Sequence, residues 1–450
     1  RGPAGLGLRG AYRPWRAPRR RDRHFRMSSD LSDAVPTGAA AACDAIGARM
    51  LTEHLGEGGA GSSSSDHRNA LACPAGLALA LAVLRVGAPD AAAPPSRGLV
   101  WSAAQRALRR FDASDPEQLR NFDPGAIPDK PLLHVANQVL VIGELQPRRE
   151  YLDAVARWYD AEIGRAPLTE AKASLDAWAA LHTGGLIRQS GIDVGPDTRL
   201  VVQNALLFAA RWAAPFEAGD TVEGAPFTRA DRSTSQADLM SRVGPFTLVT
   251  GPGWRALRLP YVDDPSAGSA TLAMDIILPN KVVSPAGLPQ STWSEATRRL
   301  TAAQETGATA SVRLRLPRLD LSSQPTDLTG VVGSLGARLD RPGGLDHIAP
   351  GLLVDQIVQQ VRLIVAEEGT VAAALTEIAC WMGAPADWED DFIVDRPYVL
   401  RIVDQASGIA LIEAAVLDPA ASSRPRFPAP AEDASRSRTR LSRRGRGSNR

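Results

Sequence analysis

The sequence predicts an α+β fold, a single large domain with mixed β-sheets and surrounding helices. Three observations predict it. Helically spaced segments alternate with strand-like runs in no regular repeat. Several strand-like runs are long and lie close together late in the chain, as in extended sheets. The composition of the 450 residues, 44% hydrophobic and 22% charged, is that of an ordinary globular protein with a sizeable core.

The elements can be justified in order. "ALACPAGLALALAVLRVGA" (residues 70–88) reads as a buried helix, apolar nearly all round. "EYLDAVARWYDAEI" (150–163) and "TEAKASLDAWAALHTGG" (169–185) have helical spacing, and the second ends on Gly184 and Gly185 as a helix should. "RLVVQNALLFAARW" (199–212) begins as a continuous apolar run, the mark of a central buried strand. "ATLAMDIILP" (270–279) is another strand, and "ASVRLRLPRLDLS" (310–322) alternates Val312, Leu314 and Leu316 with Arg313 and Arg315. "RPYVLRIVDQASGIALIEAAVLDP" (396–419) reads as two strands around a polar turn near residues 404–408.

Charge divides the chain differently. Residues 1–26 carry +8 and residues 421–450 carry +7, against a total of +1, leaving an acidic body of −14. Both ends are expected to be disordered, the first as an Arg-rich leader or upstream translation before Met27, with the folded domain over 27–420. Few aromatics and no folded nucleic-acid module accompany the basic ends, so no nucleic-acid partner is expected. Arginine greatly outnumbers lysine, which occurs at Lys130, Lys172 and Lys281, and Ala, Gly and Pro are abundant. That bias suggests a GC-rich genome rather than a function.

Catalytic and cofactor signals are sparse. Cys43, Cys73 and Cys380 are far apart, so neither a disulfide framework nor a zinc site is indicated. "GLGLRG" (5–10) lacks a preceding strand, and there is no GxSxG, HExxH or GxxxxGK. The histidines His24, His54, His67, His134, His182 and His347 are isolated in sequence and read as structural or exposed. The expectation is a non-enzyme with no metal and no cofactor. No membrane is expected, because no apolar run spans a bilayer. Without an apolar signal core, a cytoplasmic location is the default, with an extracellular one as the alternative.

One stretch resists this reading. "EEGTVAAALTEIACWMGAP" (367–385) lies between the strand-like runs "QIVQQVRLIVA" and "FIVDRPYVLRIV". It is too long for a hairpin turn and too apolar for a solvated loop.

Six segments answer for it. "VVQNALLFAARWAAPF" is close to "NAxxFKGxWxxPF", with Asn204, Phe208, Trp212, Pro215 and Phe216 in place. "HVANQVLV" carries Ala136 and Asn137, and "LDAWAALHTGGLI" resembles "INxWVxxxTxGxI" through Trp178, Thr183, Gly185 and Ile187. "LRLPRLDL" and the C-terminal "FIVDRPYVLRIVDQASGIALIEAAVLDP" fit late strands, and "EEGTVAAALT" resembles the hinge "EEGTEAAAAT". Taken in chain order over residues 41–419, they resemble the serpins, protease inhibitors of one large fold, and the composition suggests a bacterial member.

The resemblance implies a reactive-centre loop at about 367–391. Its hinge would be Glu367, Glu368, Gly369, Thr370, Val371, Ala372, Ala373, Ala374, Leu375 and Thr376. After cleavage by a target protease it would insert as a strand, trapping the acyl-enzyme. Period-two counting suits that fate: Thr370, Ala372, Ala374, Thr376, Ile378, Cys380 and Met382 share one uncharged face. Gly369 is expected to give the hinge its freedom. The bait bond would lie between Gly383 and Ala384, with Met382 or Trp381 as alternatives. A serine-type protease with a small-residue or chymotrypsin-like pocket is the implied partner, and the inhibitor a monomer. Arg318 is expected to pair with Glu367, with Trp212 packed nearby. Asn204, Gln359, Cys73 and Gly76 would control sheet opening. The last three depart from the family pattern, which has His, Ser and Ser there. Val371 and Leu375 also depart from it. A non-inhibitory binding or carrier protein is the alternative.

Overall fold

The computed structural model describes residues 37–56, 69–86, 104–113, 116–262, 272–289, 291–323, 325–334, 343–354, 356–370 and 388–421. The leader over 1–26 and the tail after Ala421 lie outside the described residues. So do hinge residues Val371, Ala372, Ala373, Ala374, Leu375 and Thr376, and bait residues Trp381, Met382, Gly383 and Ala384.

In chain order the strands begin with β1 (Ala70–Ala72), β2 (Leu132–Ile142), β3 (Glu162–Ala166), β4 (Leu200–Arg211), β5 (Val222–Thr228) and β6 (Thr234–Gly251). They continue as β7 (Trp254–Pro260), β8 (Leu272–Pro279), β9 (Ala310–Pro317), β10 (Leu319–Ser322), β11 (Thr326–Asp327) and β12 (Val358–Gln359). The last are β13 (Arg362–Ala366), β14 (Gly369–Thr370), β15 (Asp390–Ile393), β16 (Tyr398–Asp404) and β17 (Ile409–Val416). One sheet runs β1-β17-β16-β8-β7-β6-β9-β15, with β5 on β6, and a second runs β10-β13-β14-β4-β2-β3. β11 pairs with β12 alone. Parallel pairs, β2 with β3 and β9 with β15, sit among antiparallel ones, so both large sheets are mixed. Among the described residues no helix is long and apolar enough to cross a membrane.

Local chemistry explains where the elements break. The apolar run at 70–88 is not one helix: Ala70–Ala72 pair with β17, and Pro74 opens the helix Pro74–Arg85, where its missing N–H costs nothing. The segment 150–163 also divides. Its helix stops at Tyr159, Asp160 takes a left-handed turn, and Glu162 starts β3. Val312, Leu314 and Leu316 are buried while Arg313 and Arg315 are half-buried, as alternation requires. Pro317 ends that strand, and the chain turns at Arg318 into the other sheet.

Buried ion pairs fasten helices to the larger sheet. Arg401 and Glu413 stand directly opposite on β16 and β17, with Nε donating to Oε1 at 2.7 Å. Arg401 also reaches Asp44 on the helix Thr37–Gly56 and the Trp293 carbonyl and Thr297 hydroxyl on the helix Thr292–Glu305. Gly47 permits this approach, since a Cβ there would lie 2.1 Å from Glu413 Oε2.

The helix Leu168–His182 crosses the smaller sheet. Ala171 and Leu175 pack on Leu140, Ile142 and Val201, while Trp178 packs on Ala136 and Ala205. It ends as the sequence indicates: Thr183 donates its hydroxyl to Ala179 O at 2.7 Å, and Gly184 and Gly185 adopt positive φ.

Candidate functional site

β13 ends at Ala366 and β14 begins at Gly369, so Glu367 and Glu368 form an entire two-residue turn. On its other side β14 pairs with β4, Gly369 opposite Arg211 and Thr370 opposite Ala210. The stretch read as a loop from Glu367 therefore starts as a strand inside the sheet. Gly369 also meets a steric demand that the sequence does not signal. A Cβ there would lie 2.2 Å from Ala210 O and 2.8 Å from Arg211 Cα, so glycine is needed for the close approach to β4.

The turn is held from outside. Two-residue hairpins favour positive φ, yet neither glutamate adopts it. Instead the Phe216 N–H donates to Glu367 O at 2.9 Å and the Trp212 N–H to Glu368 O at 2.8 Å. The Glu367 carboxylate accepts from Arg318 Nε at 2.6 Å, from Arg318 Nη2 and from Thr221 Oγ1 at 2.7 Å. Trp212 Nε1 donates to Ala366 O at 2.9 Å, and its ring stacks on Tyr261 with centroids 4.6 Å apart. The Tyr261 hydroxyl lies 2.7 Å from Thr370 Oγ1, and Phe208 meets the Tyr261 ring edge-on. Burial pushes the Tyr261 hydroxyl far above its ordinary range, with the Thr370 hydrogen bond acting in the opposite sense, so the phenol keeps its proton.

Below Thr370 the sheet parts. From Leu200 to Ala209, β4 is paired with β2, and among the described residues nothing pairs with its other edge. Val202, Gln203, Asn204 and Leu206 are consequently half-buried, so the run expected to be a central strand has that environment only near its end. A cavity of 140 Å³ lies in this gap, lined by Leu77, Leu81, Trp178, Asn204, Leu206 and Val361 among others.

The residues expected to control opening gather round the gap, about 20 Å down β4 from Thr370. Gln359 clamps the backbone of Cys73 at two points, Cys73 N donating to Oε1 at 2.7 Å and Nε2 donating to Cys73 O at 3.0 Å. Burial pushes the Cys73 thiol up to about 12, so it stays protonated, despite a hydrogen bond with the Gly76 backbone. Asn204 Nδ2 donates to Ala136 O and Asn137 Oδ1, each at 3.0 Å. A Cβ on Gly76 would lie 2.6 Å from Asn204 Oδ1 and 2.9 Å from Cys73 Sγ. The sequence-selected residues thus form two groups: Glu367, Glu368, Gly369, Thr370, Trp212 and Arg318 above, and Asn204, Gln359, Cys73 and Gly76 below.

Two features escaped sequence reasoning. Tyr261, the partner of Thr370, sits in "LPYVDDP", which gives no signal. His134 and His182, 48 positions apart, face each other with Nε2 and Nδ1 at 2.9 Å. Asp112 lies 2.6 Å from the first ring, and Glu162 3.0 Å from the second. This row, buried at the two histidines and half-buried at its acidic ends, ties the helix Leu168–His182 to β2 and β3.

Comparison with known proteins agrees with this architecture. A profile of the family described as Serpin (serine protease inhibitor) matches residues 60–419. Serpin-Z2A of Oryza sativa subsp. japonica is 26% identical over 412 residues, covering 80% of this chain and 93% of that protein. The leukocyte elastase inhibitor of Bos taurus is 27% identical over 377 residues, covering 78% and 91%. Human thyroxine-binding globulin superposes with a TM-score of 0.66 at 18% identity, covering 84% of this chain and 98% of that one. Arabidopsis AtSerpin1, in its native stressed conformation, superposes with a TM-score of 0.62 at 19% identity, covering 86% and 99%. These structural neighbours share the fold, and the profile match extends over most of the sequence. The chain belongs to the serpin family.

Proposed function

We propose that this protein inhibits serine-type proteases as a suicide substrate. One observation carries the reading: among the described residues β4 has no partner on one edge from Leu200 to Ala209, with Gly369 and Thr370 already seated at the top of that edge. A protease serine would attack the Gly383 carbonyl and form an ester as the Ala384 amine leaves. The freed strand, about fourteen residues, would extend roughly 45 Å and carry the tethered enzyme with it. Each backbone hydrogen bond formed contributes on the order of 1 kcal/mol net. The inhibitor supplies strand pairing and the protease supplies the chemistry. Small residues at Gly383 and Ala384 fit an elastase- or subtilisin-like pocket, and Met382 or Trp381 a chymotrypsin-like one.

A second reading, a non-inhibitory binding protein, draws support from Cys73 and Gly76 at the gap, where the family pattern has serines. Incubation with elastase-, chymotrypsin- and subtilisin-like enzymes separates the two. A covalent complex that survives boiling, with cleavage between Trp381 and Ala384, is expected. Clean cleavage with no complex and no gain in thermal stability would leave the binding-protein reading.

A further inference from the structure

Trp388 is the first described residue beyond the expected bait bond and is 39% exposed, unusual for so large an apolar side chain. It is held in place rather than loose. The Arg313 guanidinium sits 4.3 Å from the ring centroid, and Arg313 is itself fixed by two hydrogen bonds to Asp391, at 2.7 and 2.9 Å. The next residue, Glu389, donates its N–H to Ser311 O at 2.9 Å, anchoring the backbone to β9. Arg255 braces the segment from the other side, pairing with Asp390 and donating to Asp391 O at 2.9 Å. One ring face is covered by Arg313, and the side chain remains half-open to solvent.

We infer that Trp388 is a docking plate for the target protease, outside the bait bond itself. The inference rests on the proposed bond at Gly383–Ala384. Trp388 follows Ala384 by four positions, at most about 14 Å of extended chain. A protease seated on the bond covers about 800 Å² of its partner, a disc of roughly 16 Å radius. The ring therefore falls within the footprint. A preordered aromatic loses little freedom on contact, the property of residues that dominate interfaces. Asp390 and Asp391 are engaged by Arg255 and Arg313, and the exposed Glu389 stands next to the ring, so the complementary partner is a serine protease with a basic residue beside its cleft.

The test uses the full chain and whichever protease of the panel cuts the wild-type loop fastest. The second-order rate constant for loop cleavage or capture is measured. Trp388→Ala is expected to lower it about tenfold, equivalent to about 1.4 kcal/mol. Trp388→Phe should retain most of the rate, Arg313→Ala should fall between, and added salt should slow the wild type. An unchanged rate in Trp388→Ala, with an unchanged thermal midpoint showing it folded, overturns the inference. That outcome is separate from trapping: a tenfold fall without any boiling-resistant complex would support the plate while refuting the inhibitory mechanism.

Discussion

The Thr370 hydroxyl lies 2.7 Å from the Tyr261 hydroxyl, both closed off from solvent beneath the ring of Trp212. Thr370→Arg would require a charge to be buried in this pocket, which is prohibitive without a partner. Its hinge is expected to stay out of the sheet. Under the proposed mechanism the variant should then be cut as a substrate, with several-fold more of it consumed per protease molecule inactivated. Thr370→Val keeps the shape but strands the phenol hydroxyl, at a cost of about 1–3 kcal/mol in denaturant unfolding.

Glu367 gathers Arg318 and Thr221 on one carboxylate oxygen. Arg318 is about a third exposed, so the pair is partly screened and Arg318→Ala should cost about 1 kcal/mol. Urea titrations at low and high salt check this, because the loss should shrink as salt rises. An equal loss at both would show that packing of the arginine stem, not charge, is what matters.

Gly76→Ala places a methyl where Asn204 Oδ1 already lies. Overpacking of this kind costs typically 1–3 kcal/mol. Because the nearest clash is with the Asn204 side chain and the next with Cys73 Sγ, Asn204→Ala in the same molecule should recover part of the loss, giving a measurable coupling in a double-mutant cycle. Strict additivity would mean that Cys73 Sγ, 2.9 Å from the same methyl position, sets the cost instead.

Asp418 fastens the C-terminal end of the fold. Burial pushes its carboxyl up, but hydrogen bonds from Ser235 Oγ and Arg229 Nε, each at 2.7 Å, and from Ala420 N together hold it below its ordinary value. The folded state therefore binds this proton less readily than the unfolded chain. The resulting stability is complete above about pH 4 and is lost as pH falls through the depressed folded value. In stability measured against pH, the gap between wild type and Asp418→Asn should be constant near neutrality and close at strong acidity.

Much of this molecule was legible because strand and helix periods are local. Val312, Leu314 and Leu316 declare a buried face, and Gly184 and Gly185 declare a helix end. Glu367 and Arg318 could be paired through a family pattern alone, since they lie 49 positions apart and neither carries a local signal. What could not be read depends on tertiary closeness. The role of Gly369 follows from the Ala210 carbonyl, and His134 meets His182 only because β2 and the helix Leu168–His182 are stacked. Val202 and Leu206 are half-buried where, among the described residues, β4 has a strand on one side alone, which an apolar run cannot announce.

Seating of Thr370 changes the kinetic problem. Adding a strand to an exposed edge is slowest at its first residue, where order is lost and few bonds are gained in return. Here β4 is a template to which a primer is already annealed, two residues long and fixed at its outer end by Arg318 and Trp212. Under the proposed insertion, elongation rather than initiation would limit the reaction, and its obstacles would have addresses: the Gln359 clamp on Cys73, and the helix Leu168–His182 with its histidine tether. Loosening either should quicken elongation while the primer stays in place.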